Sequence, residues 1–125
     1  MPNAEANDRP ILVVSPLATF RSLLADQLTR AGCRLVVGAE SLDEALKAAR
    51  HWAPSSIVVD CTALSGRWLD ALSDVRGAAP DTNIVVLGEE DDAGYETELK
   101  ERDGCSYRSK LEPLPRLISA LGPRE

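Results

Sequence analysis

Two charged side chains stand where they could act on a phosphoryl group. Asp60 directly follows the β-branched run Ile57-Val58-Val59, and Lys110 follows the more polar run Cys105 to Ser109. If both runs are strands of one parallel sheet, a carboxylate and an ammonium share its rim. Such a pair can form a phospho-acceptor site, in which the cation steadies charge on an incoming phosphoryl group. The plainer alternatives are an ion pair, or two solvated strand-end charges. Which of these holds depends on the elements that position them.

Those elements alternate regularly. Ile11-Leu12-Val13-Val14 is a short unbroken apolar run, as expected of a strand buried on both faces. Phe20, Leu23, Leu24 and Leu28 then recur at helical spacing, with Gly32 placed to end the helix. Leu35-Val36-Val37 is the second strand candidate. Ser41-Leu42-Asp43-Glu44 is a capping box opening a helix with the stripe Leu42, Ala45, Leu46 and Ala49, closed by Pro54. After the third strand, Trp68, Leu69, Leu72 and Val75 mark a helix stopped by Gly77 and Pro80. Ile84-Val85-Val86-Leu87 is the fourth strand. Tyr95 and Leu99 give a weak fourth helix, Cys105 to Ser109 a fifth strand at an edge, and Leu114, Leu117, Ile118 and Leu121 a last helix ended by Gly122-Pro123.

Five strand–helix units at this spacing predict an α/β domain, a parallel sheet with helices on both faces. In such sheets ligands gather at the carboxyl ends of the strands. The rim positions are therefore Ser15, Pro16, Asp60, Gly88, Glu89 and Lys110. The domain is expected over 10–122, with a loose tail at 1–9 and a tail or linker start at 123–125.

Composition narrows the class. A chain of 125 residues suits one domain, and 44% apolar with 27% charged residues fits a packed globule. Twenty acidic against 14 basic residues, a net charge of −6, argue against a phosphate-backbone binder, so no direct nucleic-acid contact is expected. Cys33, Cys61 and Cys105 are odd in number with no CxxC pair, which supports neither a disulfide framework nor a zinc cage and points to small buried residues in a reducing cytosol. Met1 to Pro10 is polar and acidic where a signal peptide would be apolar, and no apolar run approaches the roughly 20 residues of a membrane span. The expectation is a soluble, cytoplasmic domain. Trp52 and Trp68 read as partial core residues, and His51 as a partner of a helix C-terminal dipole.

The pattern resembles the receiver domain of two-component response regulators from Arg9 to Gly122. The resemblance lies in the five-unit alternation, in Asp60 closing the third strand, and in Lys110 followed by Leu111-Glu112-Pro113-Leu114-Pro115-Arg116-Leu117. Phe20-Arg21 is similar to receivers of helix-turn-helix transcription regulators. The resemblance implies a flavodoxin-like doubly wound five-stranded sheet of order 2-1-3-4-5. It also implies an Asp60 that accepts phosphate from a histidine kinase, Mg²⁺ on a strand-one acidic pair, and a strand-four hydroxyl and strand-five Lys on the phosphoryl group. Receivers dimerise or dock through the face of helix four, strand five and helix five, here carrying Tyr95, Tyr107, Arg108 and Leu114. Tyr107 falls where the family often has an aromatic that follows the switch hydroxyl.

The chemistry departs from that pattern. The acidic pair is Ser15-Pro16, the hydroxyl position is Gly88, and the usually small residue after it is Glu89. The loop after Asp60 reads Thr62-Ala63-Leu64-Ser65-Gly66. Mg²⁺ wants near-octahedral oxygen ligation held by one or two carboxylates, so its binding is expected to be weak or absent. Without it only Lys110 offsets repulsion between phosphoryl oxygens and Asp60. Glu89-Glu90-Asp91-Asp92 reads as a solvated acidic loop favouring the start of the fourth helix, with substitute metal ligation as the alternative.

Three functions are weighed. The favoured one is a non-enzymatic, receiver-like module acting through protein contacts without phosphorylation, its Asp60 paired with Lys110 and Tyr107 held in one rotamer over Gly88. Its partners would be a histidine kinase, another regulator or a second copy. The second is a receiver that still accepts phosphate on Asp60 with unusual metal ligation. The third is a flavodoxin-like cofactor-binding domain, disfavoured because Ser15-Pro16-Leu17-Ala18-Thr19 lacks the Gly that lets amides close on a phosphate.

Overall fold

A computed structural model describes residues 9–60, 68–88, 105–109 and 115–117, with the backbone alone at 68 and 69. The elements are β1 (Ile11–Val14), α1 (Ala18–Arg30), β2 (Val36–Ala39), α2 (Leu42–Trp52), β3 (Ser56–Asp60), α3 (Trp68–Ala78), β4 (Asn83–Gly88) and β5 (Ser106–Ser109). Residues 115–117 are helical. The weak helix expected around Tyr95 and Leu99 lies outside the described residues, as do Cys61, Glu89, Lys110 and Leu114.

The strands form one parallel sheet in the order β2-β1-β3-β4-β5. Because the side chains of a strand alternate in direction, each central strand splits its apolar residues between two cores. Leu12, Val14, Ile57, Val59, Ile84 and Val86 pack against Leu42, Ala45 and Ala49 of α2 and Leu72 and Val75 of α3. Ile11, Val13, Val58, Val85 and Leu87 pack against Leu24 and Leu28 of α1 and against Leu117. At roughly 1.5–3 kcal/mol for each fully buried aliphatic side chain, this double-sided burial is the main force fixing the register.

The local signals act as expected, with some shifts. The Ser41 side chain accepts from the Glu44 amide at 3.3 Å, while Glu44 Oε1 accepts from the Glu40 amide at 2.9 Å, one residue earlier than the usual reciprocal partner. Leu23 does not join the core. It is 56% exposed, because the stripe facing the sheet runs through Leu24 and Leu28, four residues apart. Leu35 lies exposed before β2, whose pairing with β1 begins at Ile11–Val36. Gly77 sits inside α3 and does not stop it. Trp52 is exposed, with the His51 ring edge-on at 5.0 Å, and Cys33 is only partly buried.

α2 ends on Ala53 in the left-handed region, φ 49°. Arg9, from the expected tail, donates from Nε to the Ala53 carbonyl at 2.7 Å and from Nη2 to that of Pro54 at 2.9 Å. No helix among the described residues is long and apolar enough to cross a membrane.

Candidate functional site

The rim at the carboxyl ends of the strands is built outward from β3. Val14 pairs with Val59, and Asp60 with Leu87, so β1, β3 and β4 end nearly level. Alternation places Ser15, Asp60 and Leu87 on the α1 side of the sheet, continuing the rows of Val13, Val58 and Val85. Ser15 and Asp60 are both completely buried, at 0% exposure.

A buried carboxylate needs donors, and Ser15 supplies one: its Oγ donates to Asp60 Oδ2 at 2.7 Å. The same Oγ accepts from the Leu17 amide at 3.1 Å, which uses one of the free amides at the start of α1. The Ser15 backbone is held as well. Its amide donates to the Ala39 carbonyl at 2.9 Å, and its carbonyl accepts from Arg21 Nη1 at 2.6 Å. Arg21 reaches this carbonyl from the first turn of α1, passing over Gly38 of β2, with Cδ 3.5 Å and Nε 3.6 Å from where a Cβ would stand. A guanidinium charge is thereby fixed next to the residue that bonds Asp60. Pro16, the second position of the expected acidic pair, is exposed.

The other half of the rim is closed by an aromatic. Gly88 ends β4, buried, and pairs with Ser109 of β5. A Cβ at Gly88 would overlap the hydroxyl oxygen, Cζ and Cε1 of Tyr107, so the tyrosine ring fills the space a side chain would need. Tyr107 packs partly buried on the α2–α3 core, and Arg108 beside it is also partly exposed.

No protein-family model matches the chain, and no curated protein matches it. Solved structures do. A response regulator protein from Burkholderia pseudomallei, solved with a phosphorylated aspartic acid, calcium and citrate, superimposes with a TM-score of 0.78 at 27% identity. That match covers 91% of this chain and 66% of the Burkholderia chain, just under two thirds. The receiver domain of NtrX from Brucella abortus matches with a TM-score of 0.75 at 25% identity, over 89% of this chain and 97% of that one. The chemotaxis protein CheY4 of Vibrio cholerae matches with a TM-score of 0.77 at 22% identity, over 90% and 94%.

This chain is a receiver-fold domain. The sheet order is the 2-1-3-4-5 implied by the sequence resemblance. A divalent cation, the usual companion of a receiver site, takes oxygens from carboxylates, carbonyls and water. Among the described residues no group of three His, Cys, Asp or Glu could hold a metal. Asp60 is the buried carboxylate at the described rim, and its Oδ2 is already engaged by Ser15. Among the described residues this donor set falls short of what a divalent cation takes.

Of the expected site residues, the structure brings Ser15 together with Asp60 and Gly88 together with Tyr107. Lys110 and Glu89 lie outside the described residues, so the expected Asp60–Lys110 pair is not described, and Tyr95 and Leu114 likewise. Two features escaped the sequence reading: the Ser15 hydroxyl as a partner of Asp60, and Arg21 as its neighbour. A signal for the first existed. Ser at a strand end, one residue before Pro and three before a helix start, is a common hydrogen-bonding turn, and its parity matches that of Asp60. Arg21 had no such signal, since its reach back to the Ser15 carbonyl depends on where α1 lies against the sheet.

Proposed function

We propose that this receiver-fold domain is an atypical signalling module that works through protein contacts and independently of aspartyl phosphorylation. The observation that carries this reading is the buried hydrogen bond from Ser15 Oγ to Asp60 Oδ2. A phospho-accepting aspartate must present an oxygen to an in-line phosphoryl donor while a cation neutralises the developing charge. Here the serine occupies one oxygen, the carboxylate has no solvent-exposed surface, and Arg21 is the described fixed cation nearby. Among the described residues, the contacts of Ser15 at this rim are internal ones, to Asp60, Leu17 and Arg21.

In this reading the domain turns over no substrate and needs no Mg²⁺. Its output is a fixed surface, with the partly exposed Tyr107 and Arg108 of edge strand β5 as contact residues. The partner is a protein in the cytosol: a histidine kinase, another regulator or a second copy.

The test is incubation with acetyl phosphate and Mg²⁺ followed by intact mass measurement. The expected result is an unchanged mass. The gain of one phosphoryl group, lost in Asp60→Ala, would overturn the reading and assign the chain an acceptor role like that of the Burkholderia protein.

A further inference from the structure

β2 is the last strand on its side of the sheet, and half of its backbone groups turn away from β1. The Leu35 carbonyl accepts from the Ile11 amide, and the Ala39 carbonyl from the Ser15 amide. Residues of a parallel strand turn to one neighbour in alternation, so 35, 37 and 39 face β1 while Val36 and Gly38 face outward. The outward amides and carbonyls of Val36 and Gly38 have no partner among the described residues. The next outward amide, that of Glu40, is taken by Glu44 Oε1. Edge strands are commonly guarded by a charged residue or a proline within the strand. Val36-Val37-Gly38-Ala39 has neither, and its nearest charges, the exposed Arg34 and Glu40, stand just outside its two ends.

We propose that this edge pairs with the same edge of a second copy, antiparallel about Val37, joining two sheets across a two-fold axis. The occupant follows from self-complementarity. With Val37 opposite its own copy, Val36 lies opposite Gly38, a pairing in which two outward-turned residues exchange both bonds. The two copies thereby close four backbone hydrogen bonds. The same register sets Arg34 opposite Glu40, twice over. A shift of one residue would set outward groups against inward ones. A shift of two would keep bonding pairs but part Arg34 from Glu40. Leu35, 40% exposed and of the same parity as Val37, comes to lie across from Ala39 and loses solvent on pairing. The contact is isologous and short, so association is weak and concentration-dependent. It stands whether or not Asp60 takes phosphate, and it leaves β5, at the far edge, uninvolved.

The test is sedimentation equilibrium on the full chain at concentrations up to about 1 mM, the weak end of the affinity scale. The expected result is a reversible monomer–dimer equilibrium, with hydrogen exchange of the Val36 and Gly38 amides slowing as the dimer fills. Arg34→Glu and Glu40→Arg each set like charges opposite one another at two places, so each raises the dimer Kd roughly tenfold or more. Both substitutions are at exposed positions. When the two variants are mixed, opposite charges meet again at both places and a heterodimer forms with near wild-type affinity. The variant carrying both substitutions recovers self-association in the same way. A variant that merely folds poorly gains nothing from its counterpart, so this rescue is specific to the proposed register. A wild type that stays monomeric throughout, a dimer that survives both reversals, or single variants that stay apart when mixed would overturn the pairing. So would a wild-type dimer in which the Val36 and Gly38 amides exchange no more slowly, since the contact would then lie on another face.

Discussion

Ser15 and Asp60, 45 residues apart in the chain, are joined by a 2.7 Å hydrogen bond between side chains with no exposed surface. The bond ties the end of β1 to the end of β3, and because Ser15 Oγ also accepts from the Leu17 amide, it fixes where α1 begins. One hydroxyl thus connects three elements at the rim.

Ser15→Ala removes one hydrogen bond from a buried carboxylate and takes the side-chain acceptor from the Leu17 amide. The expected loss of stability is about 1–3 kcal/mol, the usual cost of stranding a buried polar group. Urea unfolding checks it through a lowered midpoint at unchanged slope. A variant as stable as wild type would show that water replaces the hydroxyl at no cost.

Ala53 is the one described non-glycine residue with positive φ, at 49°. An L-residue there carries a penalty of roughly 1–2 kcal/mol that glycine escapes, while glycine costs about 0.4–1 kcal/mol in unfolded-chain entropy. Arg9 binds the carbonyl of residue 53, which the substitution keeps. Ala53→Gly is therefore expected to stabilise the domain by about 0.5–1 kcal/mol, read as a raised thermal midpoint. A drop would mean that the Cβ makes packing contacts outweighing the strain.

Cys33 supplies a pH dependence. Burial disfavours the thiolate and raises its pKa above the ordinary 9.0. Folded Cys33 therefore keeps its proton to higher pH than the unfolded chain does. Its contribution to stability is fully present below the unfolded pKa and is lost as pH rises through the folded one. Alkylation by iodoacetamide, followed on the Cys33 peptide by mass, should be slower than for free cysteine at pH 8, with its rise displaced to higher pH. A profile overlying that of free cysteine would contradict the shift.

The fold was legible because it depends on patterns that survive without tertiary detail. Four apolar runs, Ile11–Val14, Val36–Val37, Ile57–Val59 and Ile84–Leu87, could be strands of a buried parallel sheet, and the box at Ser41–Glu44 fixed the start of α2. The site was half legible. Asp60 and Ser15 were placed on one rim by topology, but their bond was not foreseen, because a hydroxyl was read as a missing carboxylate and not as a donor in its own right. Leu23 was misassigned for a related reason: at helical spacing three adjacent leucine-like positions fit one stripe, and only packing shows that Leu24 and Leu28 face the sheet. Tyr107 and Gly88 were linked by the family resemblance, whereas the seating of the ring against the glycine depends on the tertiary packing.

Ser15→Asp is the sharpest probe of the site. It sets a second carboxylate beside Asp60, in a place solvent does not reach. Two like charges this close and this buried are expected to cost on the order of 2–3 kcal/mol in EDTA, with part of the cost relieved by proton uptake. The same pair now resembles the donor set a divalent cation requires. Magnesium at about 100 times its Kd would return roughly 2.7 kcal/mol by mass action. The expected pattern is a variant less stable than wild type in EDTA and restored by Mg²⁺, beside a wild type whose unfolding midpoint is the same in both. A wild-type midpoint that rises with Mg²⁺ would show that the serine leaves room for the metal after all, and with it the route to phosphorylation.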